Sequence, residues 1–314
     1  MRRIPTLIAC LTIPVALTAC GAGIPTLPGV PGLPGAGGSG LSAALDRVQI
    51  GTDGPVVSMG YANVQKVRDT FDAFTPGGIS KTEQAARDAW SMTLVAAPVA
   101  IQMPNPRSPW MGSHPNYYAH ATWSVRAHGT IDNNSSYTAG GAPILDELAP
   151  KLREAYTIDG DTATLSTQDR ILSRSLPATV RKDGDALVTE TRGSGNSASL
   201  TDVIGDLSSC LGDPDVAVVA AHDRNIDGAS AFGTAVSIKS RTDVTAVHCV
   251  RAADDADVNR VADALRGHQG VDYTAGEVTI KGKVIKVELT PNAEPLTAAS
   301  RTVQSMPERR YPTF

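Results

Sequence analysis

The stretch HDRNIDGAS, residues 222–230, sets oxygen-bearing side chains at alternate positions. Asp223, Asn225, Asp227 and Gly228 match the first, third, fifth and sixth positions of a calcium loop. In such a loop alternate oxygens face the ion, and the glycine permits the sharp turn. The match stops there, because Ser230 stands where an aliphatic residue is expected and Thr234 where a bidentate glutamate should close the shell. The flanks read as strands. The stretch therefore reads first as a polar hairpin loop whose Asp and Asn side chains bond their own backbone, and only second as a calcium site.

The histidines invite a transition-metal reading. His114, His120 and His128 fall in a polar segment, roughly residues 102–142, rich in Pro, Asn and aromatics. A straight strand would put 120 and 128 on one face. Zinc sites use tighter ligand spacing with a thiolate or carboxylate nearby, so no metal and no cofactor is assigned. His248 reads as a strand residue that faces solvent or bonds a neighbour.

Hydrolytic chemistry needs a nucleophile on a tight turn. The segment GASAF around Ser230 lacks the second glycine of a nucleophile elbow and lies between two strand candidates, while RGSGNS around Ser194 reads as a loop before a helix. Neither a phosphate-cradling glycine loop with its lysine nor a dinucleotide fingerprint occurs. No catalytic residue is assigned. One route to an enzyme stays open: a fold that joined His120 or His128 to Asp146 or Asp161 would pair a base with a carboxylate. The alternative reading is thus a cell-envelope hydrolase with a site assembled in three dimensions.

The elements that must position these residues are legible in part. Val56–Tyr61 reads as a strand, followed by a helix with Val64, Val67, Phe71 and Phe74 on one face. Ser80 and Glu83 have capping-box spacing and open a second helix that runs to Ala97. A strand is expected at 121–127, a kinked helical pattern around Pro150, and strands at 162–165 and 186–191. In SLTDVIGDLSSCLG, Leu200, Val203, Ile204, Leu207 and Leu211 form the stripe of one helix capped by Ser199 and stopped by Gly212. Three strands follow, at 216–221, 234–239 and 244–250, then a helix at 255–266. A hairpin, VTIKGKVIKVEL, turns at Gly282. The pattern predicts an α+β fold with mainly antiparallel sheets and flanking helices, arranged as two lobes at 41–198 and 199–290, with a flexible tail at 291–314.

The first forty residues belong to no core. Arg2 and Arg3 precede a short apolar run, Ile4–Ala19, that Pro5 and Pro14 interrupt. Such a run is too short to span a bilayer, which takes about 20 apolar residues. It ends in Leu17-Thr18-Ala19-Cys20, which resembles the lipobox of bacterial lipoprotein signal peptides. That resemblance implies cleavage after residue 19 and lipid attachment, palmitate included, on Cys20. The chain would then sit on the extracytoplasmic face of the cell membrane, held by its lipid. Pro25, Pro28, Pro31 and Pro34 recur at every third residue, the period of polyproline II. Residues 20–40 therefore read as a disordered Gly/Pro-rich tether of at most about 60 Å, at about 3.1 Å per residue.

Loss of residues 1–19 removes two arginines and moves the formal charge from -4 to -6. That mild acidity argues against nucleic acid as a partner. Of the four cysteines, Cys10 leaves with the leader and Cys20 carries lipid, so Cys210 and Cys249 remain. Outside the cytosol such a pair is expected to oxidise, the alternative being two separate buried thiols. If the Leu200–Leu211 helix lies on the strand face that carries Val247 and Cys249, the two sulfurs meet. The lipobox, the tether, VVSMGYANVQKVRD, DLSSCLGDPDVAVVAA and DVTAVHCVRAADDADV together are similar to a group of actinobacterial membrane lipoproteins. The resemblance implies the membrane address and the cysteine pair, with no activity attached. The expected function is a non-catalytic binding or interaction protein of the cell envelope, its partner an envelope protein or a lipid.

Overall fold

The computed structural model describes residues 40–51, 56–71, 87–89, 92, 117–124, 133–139, 155–166, 177–184, 186–190, 197–226 and 228–305. The elements in chain order are α1 (Leu41–Arg47), β1 (Gln49–Gly51), β2 (Val56–Asn63), α2 (Val64–Phe71), β3 (Tyr117–Ser124), β4 (Asn133–Ala139), β5 (Tyr156–Asp159), β6 (Thr162–Leu165), β7 (Thr179–Asp183), β8 (Ala186–Glu190) and β9 (Ser197–Ser199). There follow α3 (Leu200–Ile204), α4 (Leu207–Leu211), β10 (Val216–Ile226), β11 (Ala229–Ile238), β12 (Val244–Ala252), α5 (Val258–Leu265), β13 (Tyr273–Lys281), β14 (Val284–Pro291) and α6 (Pro295–Ser305). Twelve strands form one antiparallel sheet in the order β13-β14-β12-β11-β10-β2-β3-β4-β8-β7-β6-β5, and β1 pairs with β9 in a separate ribbon. The fold is α+β with mainly antiparallel pairing and flanking helices, as the sequence predicts. No helix among the described residues is long and apolar enough to cross a membrane.

The centre of the sheet is covered on both faces, which is why its strands read as nearly continuous apolar runs. On one face Val216, Val218, Phe232, Val236, Val250, Ile285 and Val287 pack beneath α2, α5 and α6. On the other, Val57, Met59, Tyr61, Ala217, Val219, Ala235 and Cys249 pack beneath α1, the β1–β9 ribbon, α3 and α4. Alanine and valine dominate both layers. A third cluster, Tyr156, Ala163, Val180 and Leu187, fills the β5–β8 end.

Asp215 ties the layers together from a buried position, 5% exposed. Its carboxylate accepts from the Ile238 amide at 2.7 Å and from Lys66 Nζ at 2.9 Å, and its carbonyl accepts from the Asn63 amide at 2.7 Å. Asp215→Ala leaves the Ile238 N–H unanswered and is expected to cost about 2 kcal/mol in urea unfolding. Lys66→Ala, which removes the more exposed partner, should cost less than half of that.

Two expectations are corrected. The single helix expected over 200–211 is two short ones, because Gly205 adopts φ 58 and closes α3, its amide donating to Thr201 O at 2.9 Å. The tail expected to be loose carries α6, whose Leu296, Ala298, Ala299 and Val303 are fully buried. Pro295 fits the first helical position, and Glu294 Oε2 accepts from the Thr297 amide at 2.8 Å. Alanine, serine and threonine make up most of this buried face, so hydropathy alone understates it. Leu296→Ala is expected to lower stability by about 3 kcal/mol, read as a shift in the urea midpoint.

Candidate functional site

The best-defined site grows from the way α3 and α4 are laid on the sheet. Ser199 starts α3 with a capping box: Asp202 N donates to Ser199 Oγ at 3.2 Å, and Ser199 N donates to Asp202 Oδ2 at 3.3 Å. After the Gly205 break, α4 buries Leu207 and Leu211 and turns Cys210 toward β12. On that strand Val247 and Cys249 share the face that α4 covers. Cys210 and Cys249 form a disulfide with Cα atoms 6.0 Å apart, within the usual span for a bridge. The structure thus brings together the cysteine pair that the sequence singles out.

Beyond β12 the same sheet face continues onto β14 and β13 and carries polar side chains. The step between α4 and this ledge is an open cleft of about 340 Å³, lined by Asp206, Ser209, Cys210, Thr279, Lys281, Val284 and Lys286. Arg251 Nε lies 3.3 Å from Asp206 Oδ1 and so offsets the one lining carboxylate. The same guanidinium donates from Nη1 to Ser230 Oγ at 3.1 Å. Lys286 Nζ reaches Glu288 Oε1 at 3.2 Å. Lys286 is thus offset by Glu288 as Asp206 is by Arg251, which among the described residues leaves the Lys281 ammonium as the uncompensated lining charge, and the cleft favours an anionic or acidic group over a cation.

This cleft is what sequence reasoning missed. The alternation in TIKGKVIK does reveal a charged hairpin face, since Thr279, Lys281 and Lys286 oppose the apolar Val278, Ile280, Ile285 and Val287. Nothing local reveals that α4, some seventy residues earlier, ends against that face.

None of the other candidates assembles among the described residues. Asp223 and Asn225 belong to the backbone of β10 beyond the irregularity after Ala221, and Asp227 lies outside the described residues. Among the described residues no group of three or more His, Cys, Asp or Glu could hold a metal ion. His120 sits on β3 and Asp161 at the β5–β6 turn, four strand steps apart in the sheet order. At about 4.8 Å per strand that is about 19 Å, too far for a base and its carboxylate. His114, His128, Asp146, Ser194 and Cys20 lie outside the described residues. Ser230 Oγ is engaged on both sides by Arg251, donating to its carbonyl at 3.3 Å and accepting from its guanidinium.

His248 corrects the solvent-facing alternative. It is 0% exposed, paired across strands with Thr234, whose Oγ1 lies 3.0 Å from His248 Nδ1. The Phe232 ring lies 6.2 Å away, centroid to centroid. Burial pushes the imidazole pKa down to about 3, and the neighbouring His268 adds to the effect. His248 is therefore a neutral core residue at ordinary pH. The chain matches no protein family, no curated protein and no solved structure.

Proposed function

We propose that this protein is an extracytoplasmic lipoprotein, anchored to the cell membrane through lipid on Cys20, whose body binds an envelope protein or a lipid without chemistry of its own. The observation that carries the reading is Leu17-Thr18-Ala19-Cys20 behind two arginines and a short apolar run. The Cys210–Cys249 bridge supports it, because such bonds persist outside the reducing cytosol. Two acyl chains, at about 0.8 kcal/mol per buried methylene, hold a protein firmly on a bilayer. Residues 20–40 then let the body stand off the surface by up to about 60 Å. The cleft beside α4, about 340 Å³, falls at the lower end of the range of small-ligand sites.

The test is metabolic labelling with palmitate, followed by detergent phase partition, in a bacterium with lipoprotein processing. The full chain should carry label, lose residues 1–19 and enter the detergent phase, whereas Cys20→Ser should be unlabelled and stay in the aqueous phase. Label that persists in Cys20→Ser, or a full chain that never acquires it, defeats the anchoring reading. Native mass spectrometry of the protein released from its membranes then separates the binding readings: an added mass of lipid size marks a carrier, and a co-released protein marks an interaction module.

A further inference from the structure

The disulfide is sealed on one side and open on the other. Cys249 is 0% exposed in the layer between α4 and the sheet, while Cys210 is half-buried and lines the open cleft. Thiol–disulfide exchange needs an attacking thiolate to reach one sulfur directly, and access decides which sulfur is attacked. Here only Cys210 borders a space that admits a small molecule. The cleft also carries the ammonium groups of Lys281 and of Lys286, the latter 3.2 Å from Glu288 Oε1, while its carboxylate, Asp206, is paired with Arg251 at 3.3 Å. A thiolate is an anion, and an incoming thiol with carboxylates of its own is favoured further by those lysines.

We infer that Cys210 is a thiol-modification site, where low-molecular-weight anionic thiols enter the cleft and exchange with the Cys210–Cys249 bond. The incoming thiolate forms a new S–S bond to Cys210, the bond to Cys249 breaks, and its electron pair leaves on the Cys249 sulfur, which takes up a proton. A second thiolate of the same kind attacks the small-molecule sulfur of the mixed disulfide, freeing Cys210 as a thiolate and carrying away the oxidised small disulfide. Two electrons pass from two thiols to the protein bond. Between the two steps Cys249, held beneath α4, is placed to attack the mixed disulfide and restore the bridge, so the modification is reversible. This inference goes beyond the anchoring reading and does not depend on it.

The test compares glutathione, β-mercaptoethanol and cysteamine on the full chain in native buffer, at equal thiolate concentration, with rapid acid quench. Peptides carrying residues 210 and 249 are then mapped by mass, which sets any adduct on Cys20 or Cys10 aside. The expected result is a glutathione adduct on Cys210 alone, formed about 3- to 10-fold faster than with cysteamine, β-mercaptoethanol lying between. Lys281→Glu with Lys286→Glu, two surface changes, should remove or invert that order. A Cys249→Ala variant should take one glutathione from oxidised glutathione at Cys210. An adduct on Cys249, exchange that occurs only in denaturant, or one rate for all three thiols in the unmodified protein would overturn the inference; the wild-type readings stand even where a variant fails to fold.

Discussion

Lowering the pH from 7.5 to 4.5 is expected to remove about 3 kcal/mol of stability through His248 alone. The imidazole is fully buried, and its pKa falls from an ordinary 6.5 to about 3, first through desolvation and then through His268. Between those two values the unfolded chain binds a proton at this position and the folded chain does not. Stability from this group is therefore complete above pH 6.5 and drains away as the pH falls toward 3, on the order of 4 to 5 kcal/mol over the whole window. Glu190 runs the other way, since burial raises its carboxyl pKa against the pull of Arg181. His248→Gln separates the two, because glutamine keeps a polar group near Thr234 and cannot titrate. Urea unfolding of wild type and variant at both pH values reads the effect directly. A variant whose stability falls as steeply as the wild type would show that His248 is not the group that matters.

The second large effect belongs to the disulfide. The bridge closes a loop with a sequence separation of 39, for which the chain-entropy treatment gives about 4 kcal/mol. Replacing both cysteines by alanine is expected to lower stability by about that amount. Replacing Cys249 alone should cost about as much, since the same bridge is lost and the same space opens between α4 and the sheet. The measurement is the urea midpoint with and without reductant: the wild type should fall toward the double variant when reduced, and the double variant should not respond.

How much of this was legible in the sequence depends on how local each feature is. Ser199, Gly212 and the apolar stripe between them announce a capped helical segment, and the alternation around Cys249 announces which face it covers; both are short-range patterns. The break at Gly205 was harder, because a glycine inside a helical stripe is tolerated as often as it stops a helix. The helix α6 was hidden by its composition: Ala298, Ala299 and Thr302 bury well in a close-packed layer but score as unremarkable residues. Strand alternation puts His248 on the face opposite Cys249, yet its burial depends on α5 and α6 covering that face, and no local pattern carries pairing across such distances. The cleft is the extreme case. Its residues come from 206–210 and 279–286, and only the strand order β13-β14-β12 brings them into one place.

The sheet order also decides where a mechanical load would travel. At Gly40 the φ of 101 favours glycine, and a Cβ there would lie 2.5 Å from Asp213 Oδ1, so the Asp213 side chain would have to shift. The next residues, α1 and β1, join α3 and β9, so a pull applied ahead of α1 reaches first the outer layer that lies on the sheet. That layer is bolted to the sheet at one covalent point, between α4 and β12, a strand paired with β11 on one side and β14 on the other. A tension that would peel the outer layer strand by strand is delivered instead to a strand with hydrogen-bonded neighbours on both sides. Under the anchoring proposed above, the bridge would work as a strain relief.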